Sequence, residues 1–161
     1  MTISKALRDG AKLAVFTRNH KGHLDEALRV STAEPDRLIP FRGVSRWSSA
    51  SQALQQHSPI EIYFAVVDSG SLVRYAAKLQ RVIVDPQRGQ AETEQLLNLS
   101  TSTTREEGLW ENTDKPAKTL YAINQFERVP QPFPMTELIK ISDDQPISPE
   151  YGYSYSLVYA R

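Results

Sequence analysis

Residues 60 to 86 read IEIYFAVVDSGSLVRYAAKLQRVIVDP, and the reading of this stretch decides the fold. Ile60 to Val67 is almost wholly apolar and rich in β-branched and aromatic residues, which suits a buried strand. Asp68-Ser69-Gly70 then supplies turn chemistry. Beyond it, Val73, Tyr75, Ala77, Leu79 and Ile83 recur at period two on one face, and Val82-Ile83-Val84 is β-branched throughout. A helical reading of Leu72 to Gln80 fits the spacing, but the turn before it and the β-branched run after it favour strand. The segment therefore predicts a long β-hairpin.

Working outward, Ala11 to Thr17 is a short apolar run suited to a first buried strand. Leu24, Ala27 and Leu28 follow at helical spacing, with Asp25 and Glu26 placed in the first turn, where the helix dipole favours acids. Pro40 and Gly43 argue against a regular central strand over Leu38 to Arg46. Ala50, Ala53, Leu54 and His57 mark a helix capped by Ser48 or Ser49 and ending before Pro59. Residues 91 to 100 suggest another helix, 100 to 118 a polar loop, and Lys118 to Val129 a strand. The Pro-rich VPQPFPM precedes a short helix at TELIKI, and Tyr151, Tyr153, Tyr155, Leu157 and Tyr159 alternate with smaller residues in a terminal strand. Five or six strands with short helices inserted predict a single α+β domain over residues 1–161, a small mixed β-barrel.

Composition bounds the chemistry. The chain has 161 residues, 40% apolar and 24% charged, a globular mixture. With no cysteine, thiolate metal sites, iron–sulfur ligation and cysteine nucleophiles are excluded, and a reducing compartment is expected. The first twenty residues carry Lys5, Arg8, Asp9 and Lys12 and no long apolar run, so neither a signal peptide nor a membrane anchor is expected, and the protein reads as cytoplasmic. The formal net charge is zero, yet residues 1–50 carry +4, residues 51–90 +1 and residues 91–161 −5. Such polarity suits a basic face that meets phosphate; the alternative is that the two ends intermix on the surface.

Of three histidines, His20 and His23 share a short loop without a recognisable third ligand, and His57 suits a helix C-terminus. The phosphate-binding, nucleophile-elbow and zinc-protease signatures are missing, so no cofactor and no catalytic group is predicted. A metal-dependent nuclease would lean on Asp68 and Asp85, both of which turn chemistry already explains. The more informative cluster is Phe41-Arg42-Gly43-Val44-Ser45-Arg46-Trp47. Rings stack bases, guanidinium groups meet phosphate or base edges, and a glycine admits close approach of the backbone. The competing reading makes Phe41 and Trp47 core anchors. Trp110, in a polar loop, is either a lid or a packing plug.

The order of these segments resembles the PUA-like superfamily and, within it, the EVE and ASCH group. The resemblance rests on Arg42-Gly43-Val44-Ser45 leading into a helix, on the hairpin ending at Asp85-Pro86, and on KTLYAINQFERVPQPFPMTELIKI. Arg42 stands where EVE domains commonly carry an aromatic residue. The resemblance implies a non-catalytic nucleic-acid-binding module, for RNA or modified DNA, that holds an extruded base in an aromatic pocket. It places Thr17, Arg18, Asn19, Gly43, Val44, Ser45 and Trp47 at that pocket, flanked by Arg42 and Arg46, with Tyr63 and Trp110 as further candidates. A third reading is a protein-interaction domain docking through the Tyr-rich last strand.

Overall fold

The computed structural model describes residues 5–6, 10–101 and 117–161. The hairpin stands at its centre: β3 (Ile60–Val66) and β4 (Leu72–Val84) pair antiparallel, with Asp68 and Gly70 at positive φ in the connecting turn. The apolar first strand, β1 (Leu13–Asn19), lies parallel to β3, an arrangement that needs a crossover. That crossover contains α1 (Lys21–Ala33), β2 (Ile39–Gly43) and α2 (Ser48–Gln56). After β4 come α3 (Ala91–Asn98), β5 (Thr119–Pro134), a 3-10 turn at Met135–Glu137, and β6 (Tyr155–Tyr159). The six strands form one mixed sheet in the order β2-β5-β4-β3-β1-β6.

The expected barrel is corrected by this order. The sheet ends at β2 and β6, and no ladder between them closes it. Side chains span the gap instead. Trp47, just after β2, stacks on Tyr155 of β6 at 4.8 Å and on Tyr121 of β5 at 4.1 Å. Ser45 hydrogen-bonds Ser154, and the Ser49 hydroxyl lies 2.7 Å from that of Tyr155.

Strand alternation sorts the core onto the two faces of the sheet. Leu13, Val15, Ile62 and Phe64 join Leu24 and Ala27 of α1 and Ala50 and Ala53 of α2. Ala14, Phe16, Tyr63 and Ala65 face the other way, against Phe133, Met135, Leu138 and Tyr151. A third cluster packs Leu96 of α3 on Ile83, Leu120 and Ala122.

Five local expectations change. The period-two row on β4 is broken, because the register shifts at Arg74, between Ala76 and Lys78, and again at Gln80. Val73 therefore joins the second face, while Tyr75, Ala77 and Leu79 join the first and Ile83 the third cluster. β2 is a strand despite Pro40, but at the sheet edge, where a proline costs no ladder bond. β5 continues through the Pro-rich stretch for the same reason: β2 covers only Thr119 to Ile123, so the later prolines lie on an uncovered edge. The TELIKI helix shrinks to the 3-10 turn, followed by single bridges Ile139↔Pro146 and Lys140↔Val158. The last strand begins at Tyr155, leaving Tyr151 to Ser154 as a looped approach. The ends of two helices also differ: α1 starts at Lys21, so Asp25 lies beyond its first turn and instead accepts from Lys21 at 2.7 Å, while Trp47, not a serine, occupies the N-cap of α2. Among the described residues no helix is long and apolar enough to cross a membrane.

Candidate nucleic-acid interface

A cavity of about 430 Å³ opens where the C-terminal ends of β1 and β2 lie beside the loop preceding β6. Thr17, Arg18 and Asn19 form one wall and Arg42, Gly43 and Val44 the facing one, with an edge of Trp47 between. The two segments singled out from the sequence thus meet around one hollow. Parallel pairing of β1 with β3 carries the first segment there, and pairing of β2 with β5 carries the second.

Each wall is held by specific bonds. Thr17 Oγ1 donates to the Ser154 carbonyl at 2.7 Å, and Arg18 Nη2 donates to the Tyr151 carbonyl at 2.7 Å while its guanidinium lies 5.2 Å from that tyrosine's ring centre. These contacts fix the loop that carries Tyr153, which is 72% exposed on the rim. Val44, 43% exposed, stands among the residues of the opposite wall. The turn after β2 is locked by Thr119: the Trp47 backbone N–H donates to its Oγ1 at 2.9 Å, and that hydroxyl donates to the Ser45 carbonyl at 2.8 Å.

Two guanidinium groups border the cavity, those of Arg18 and Arg42, with the His20 and His23 imidazoles beside them, and among the described residues no carboxylate lines it. The N-terminus of α1 begins beside it at His20, adding the positive end of a helix dipole. Tyr121, fully buried beneath, has its hydroxyl pKa pushed well above the usual phenol value by burial, with a hydrogen bond to Asn19 partly offsetting the shift. It is a neutral group at any ordinary pH.

Trp47 does not offer a ring face. It is 1% exposed, and Tyr121 and Tyr155 cover its two faces at interplanar angles of 18° and 22°. The stacking role expected of it is therefore corrected: both faces are already used, and the ring is part of the core. Its Nε1–H, however, has no hydrogen-bond partner among the described residues. That nitrogen lies against Gly43, where an added Cβ would come within 2.8 Å of it.

Other expected site residues stand apart from the cavity. Ser45 bonds Ser154 and braces the wall from behind. Arg46 points to Asp85, whose carboxylate accepts from Nε at 2.8 and 3.0 Å. Tyr63 belongs to the second core cluster; its hydroxyl donates to Glu61 at 2.7 Å and accepts from the Arg161 backbone at 2.9 Å. Trp110 lies outside the described residues. Sequence reasoning missed Tyr153, His20 and His23 as lining residues. The signal for Tyr153 lay in the terminal alternation, but a strand reading treats every second ring alike.

The arrangement bears on the rival readings as well. Asp85 is paired with Arg46, Asp68 sits in the hairpin turn, and among the described residues no group of three or more His, Cys, Asp or Glu gathers to hold a metal. The tyrosines of the last segment are largely engaged: Tyr151 is buried, Tyr155 stacks on Trp47, and the Tyr159 hydroxyl donates to Asp144 at 3.0 Å.

No family model matches the chain, and no curated protein matches it. Among solved structures it is similar to the N-terminal domain of Staphylothermus marinus McrB, at 10% identity and a TM-score of 0.40 over 77% of each chain. A superposition this loose assigns neither family nor function.

Proposed function

We propose that the protein is a non-catalytic nucleic-acid-binding module that takes an exposed base, in RNA or in modified DNA, into the cavity between β1 and β2. One observation carries this reading: Arg18 and Arg42 face the same hollow, and a freely exposed ring, Tyr153, stands on its rim. A volume of about 430 Å³ falls in the range of small-molecule sites, roughly 300 to 1,000 Å³. Guanidinium groups meet phosphate, and an aromatic rim stacks a base at little ordering cost. Extrusion from a duplex costs a few kcal/mol, so single-stranded or already weakened sites are the favoured substrates.

The test is fluorescence anisotropy with single-stranded and duplex oligonucleotides, with and without base modification, at fixed salt in EDTA. Tyr153→Ala removes an exposed side chain, leaves the core intact, and should weaken binding roughly 5- to 150-fold, the equivalent of one stacked base. Full retention of affinity in EDTA is expected. Absence of binding to every oligonucleotide at low salt would remove the reading.

A further inference from the structure

Exposed apolar side chains scattered singly over a surface need no explanation, but two that meet at one opening do. Among the described residues the exposed large apolar side chains are Val44 and Tyr153, and both border the cavity between β1 and β2, from opposite walls. Neither belongs to a core cluster. Their backbones are nonetheless pinned. Val44 lies between Gly43, whose carbonyl accepts from the Lys118 N–H at 2.9 Å, and Ser45, whose carbonyl accepts from Thr119 Oγ1 at 2.8 Å. Tyr153 precedes Ser154, whose carbonyl accepts from Thr17 Oγ1 at 2.7 Å, and its ring meets that of buried Tyr151 edge-on at 6.0 Å. One bond joins the two walls directly. The hydroxyls of Ser45 and Ser154, the residues that follow Val44 and Tyr153, are hydrogen-bonded to each other. The fold thus fixes the spacing of two side chains that it leaves in solvent, which is the arrangement of a preorganised binding slot.

We infer that Val44 and Tyr153 are the two jaws of a slot that grips one planar ring of the nucleic acid on both faces, and that the Ser45–Ser154 bond sets its width. This rests on the nucleic-acid reading above and adds to it a second contact face and two positioning residues. Tyr153 supplies an aromatic face for stacking, and Val44 supplies methyl groups for the opposite face of the ring. Both contacts are made to ring faces, so the slot selects an unpaired, unstacked base and is indifferent to its identity. A base inside a duplex has both faces covered by its neighbours and must first be extruded. Ser45 and Ser154 act through the jaws that precede them, by tying the turn after β2 to the approach to β6 across the open ends of the sheet.

The experiment uses the full chain with two kinds of fluorescein-labelled single strand at one low salt concentration: a mixed-sequence strand, as DNA and as RNA, and a strand of equal length built from tetrahydrofuran abasic units. The abasic strand keeps the phosphates and lacks the rings. Val44→Ala should weaken binding of the base-bearing strand roughly 3- to 15-fold, the value of one or two buried methylenes, and leave the abasic strand unchanged. Because both jaws hold one ring, the Val44→Ala/Tyr153→Ala double variant should lose less than the product of the two single losses. Ser45→Ala and Ser154→Ala should each weaken the base-bearing strand roughly 2- to 10-fold, the value of one hydrogen bond, with no further loss when combined, and Ser45→Thr should restore it. Full affinity in Val44→Ala, or losses that multiply, would overturn the slot and leave the cavity reading standing. Serine variants that weaken both kinds of strand alike would overturn the positioning role, since a general loosening of the fold also disturbs phosphate contacts. No binding of any strand by the unaltered chain would overturn the slot and the nucleic-acid reading together.

Discussion

At the scale of single residues, Trp47 shows what a local reading leaves out. Phe41 to Trp47 contains rings, guanidinium groups and a glycine, a composition that a base-binding loop and a core-anchored turn share. What separates them is the occupancy of the ring faces, and Tyr121 and Tyr155 occupy both from far along the chain. Nothing within the heptapeptide encodes that. Removing the indole should behave as a core deletion: Trp47→Ala is expected to cost about 3 to 5 kcal/mol in chemical denaturation, enough to threaten folding. Gly43→Ala acts from the other side of the same contact. Its Cβ would meet Trp47 Nε1 at 2.8 Å and Thr119 Cβ at 3.3 Å, backed by a packed stack, so overpacking should cost about 1 to 3 kcal/mol. A Gly43→Ala protein as stable as the parent would show that the indole has room to retreat.

At the scale of elements, the hairpin from Ile60 to Val84 was legible because both its strands and its turn speak in local terms: β-branched runs, alternation, and Asp-Ser-Gly between them. The bulges at Arg74 and Gln80 were not, since a bulge is a disagreement between two strands and appears only in their pairing. The Pro-rich end of β5 was misread for a related reason. Proline excludes a central position, yet whether a position is central depends on where β2 stops. The turn itself makes a sharp prediction. Gly70 has φ near 84°, so Gly70→Ala should cost about 1 to 2 kcal/mol, with strand pairing otherwise unchanged. Asp68, also left-handed, should accept glycine with a change of only about 0.5 kcal/mol, because relief of strain is offset by greater freedom of the unfolded chain. Urea midpoints for the pair check both values.

At the scale of the whole molecule, the α+β class and the mixed six-stranded sheet could be read from segment order, but closure could not, because closure depends on curvature summed over all strands. Alkaline stability reflects the packing that resulted. Burial raises both Tyr63 and Tyr151 from 10.0 to about 12, and for Tyr63 the carboxylate of Glu61 adds to the effect. A group whose pKa is higher in the folded state stabilises it fully below the unfolded value and loses that contribution as pH rises toward the folded one. The contribution of these tyrosines should therefore be constant below pH 10 and fall between pH 10 and 12, with buried Tyr121 adding to the alkaline loss, and Tyr63→Phe should show a shallower fall from a lower plateau, since it also loses the bonds to Glu61 and Arg161. Thermal melts across that range decide it.

The charge polarity of the chain belongs to the same scale and leads to a measurable slope. Residues 1–50 carry +4, but position divides those charges: Arg18 and Arg42 border the cavity, whereas Arg46 is neutralised by Asp85 at 2.8 Å. If nucleic acid docks at the cavity, phosphate contacts come from the first two and not from the third. Each phosphate neutralised on a single strand changes the slope of log affinity against log salt by about 0.7. Arg42→Ala should reduce that slope by about this amount and weaken binding to all sequences alike, as should Arg18→Ala, which also frees the Tyr151 carbonyl and loosens the loop carrying Tyr153. Arg46→Ala should leave the slope unchanged. Loss of slope in Arg46→Ala but not in Arg42→Ala would move the binding surface to the Asp85 side of the sheet and away from the cavity.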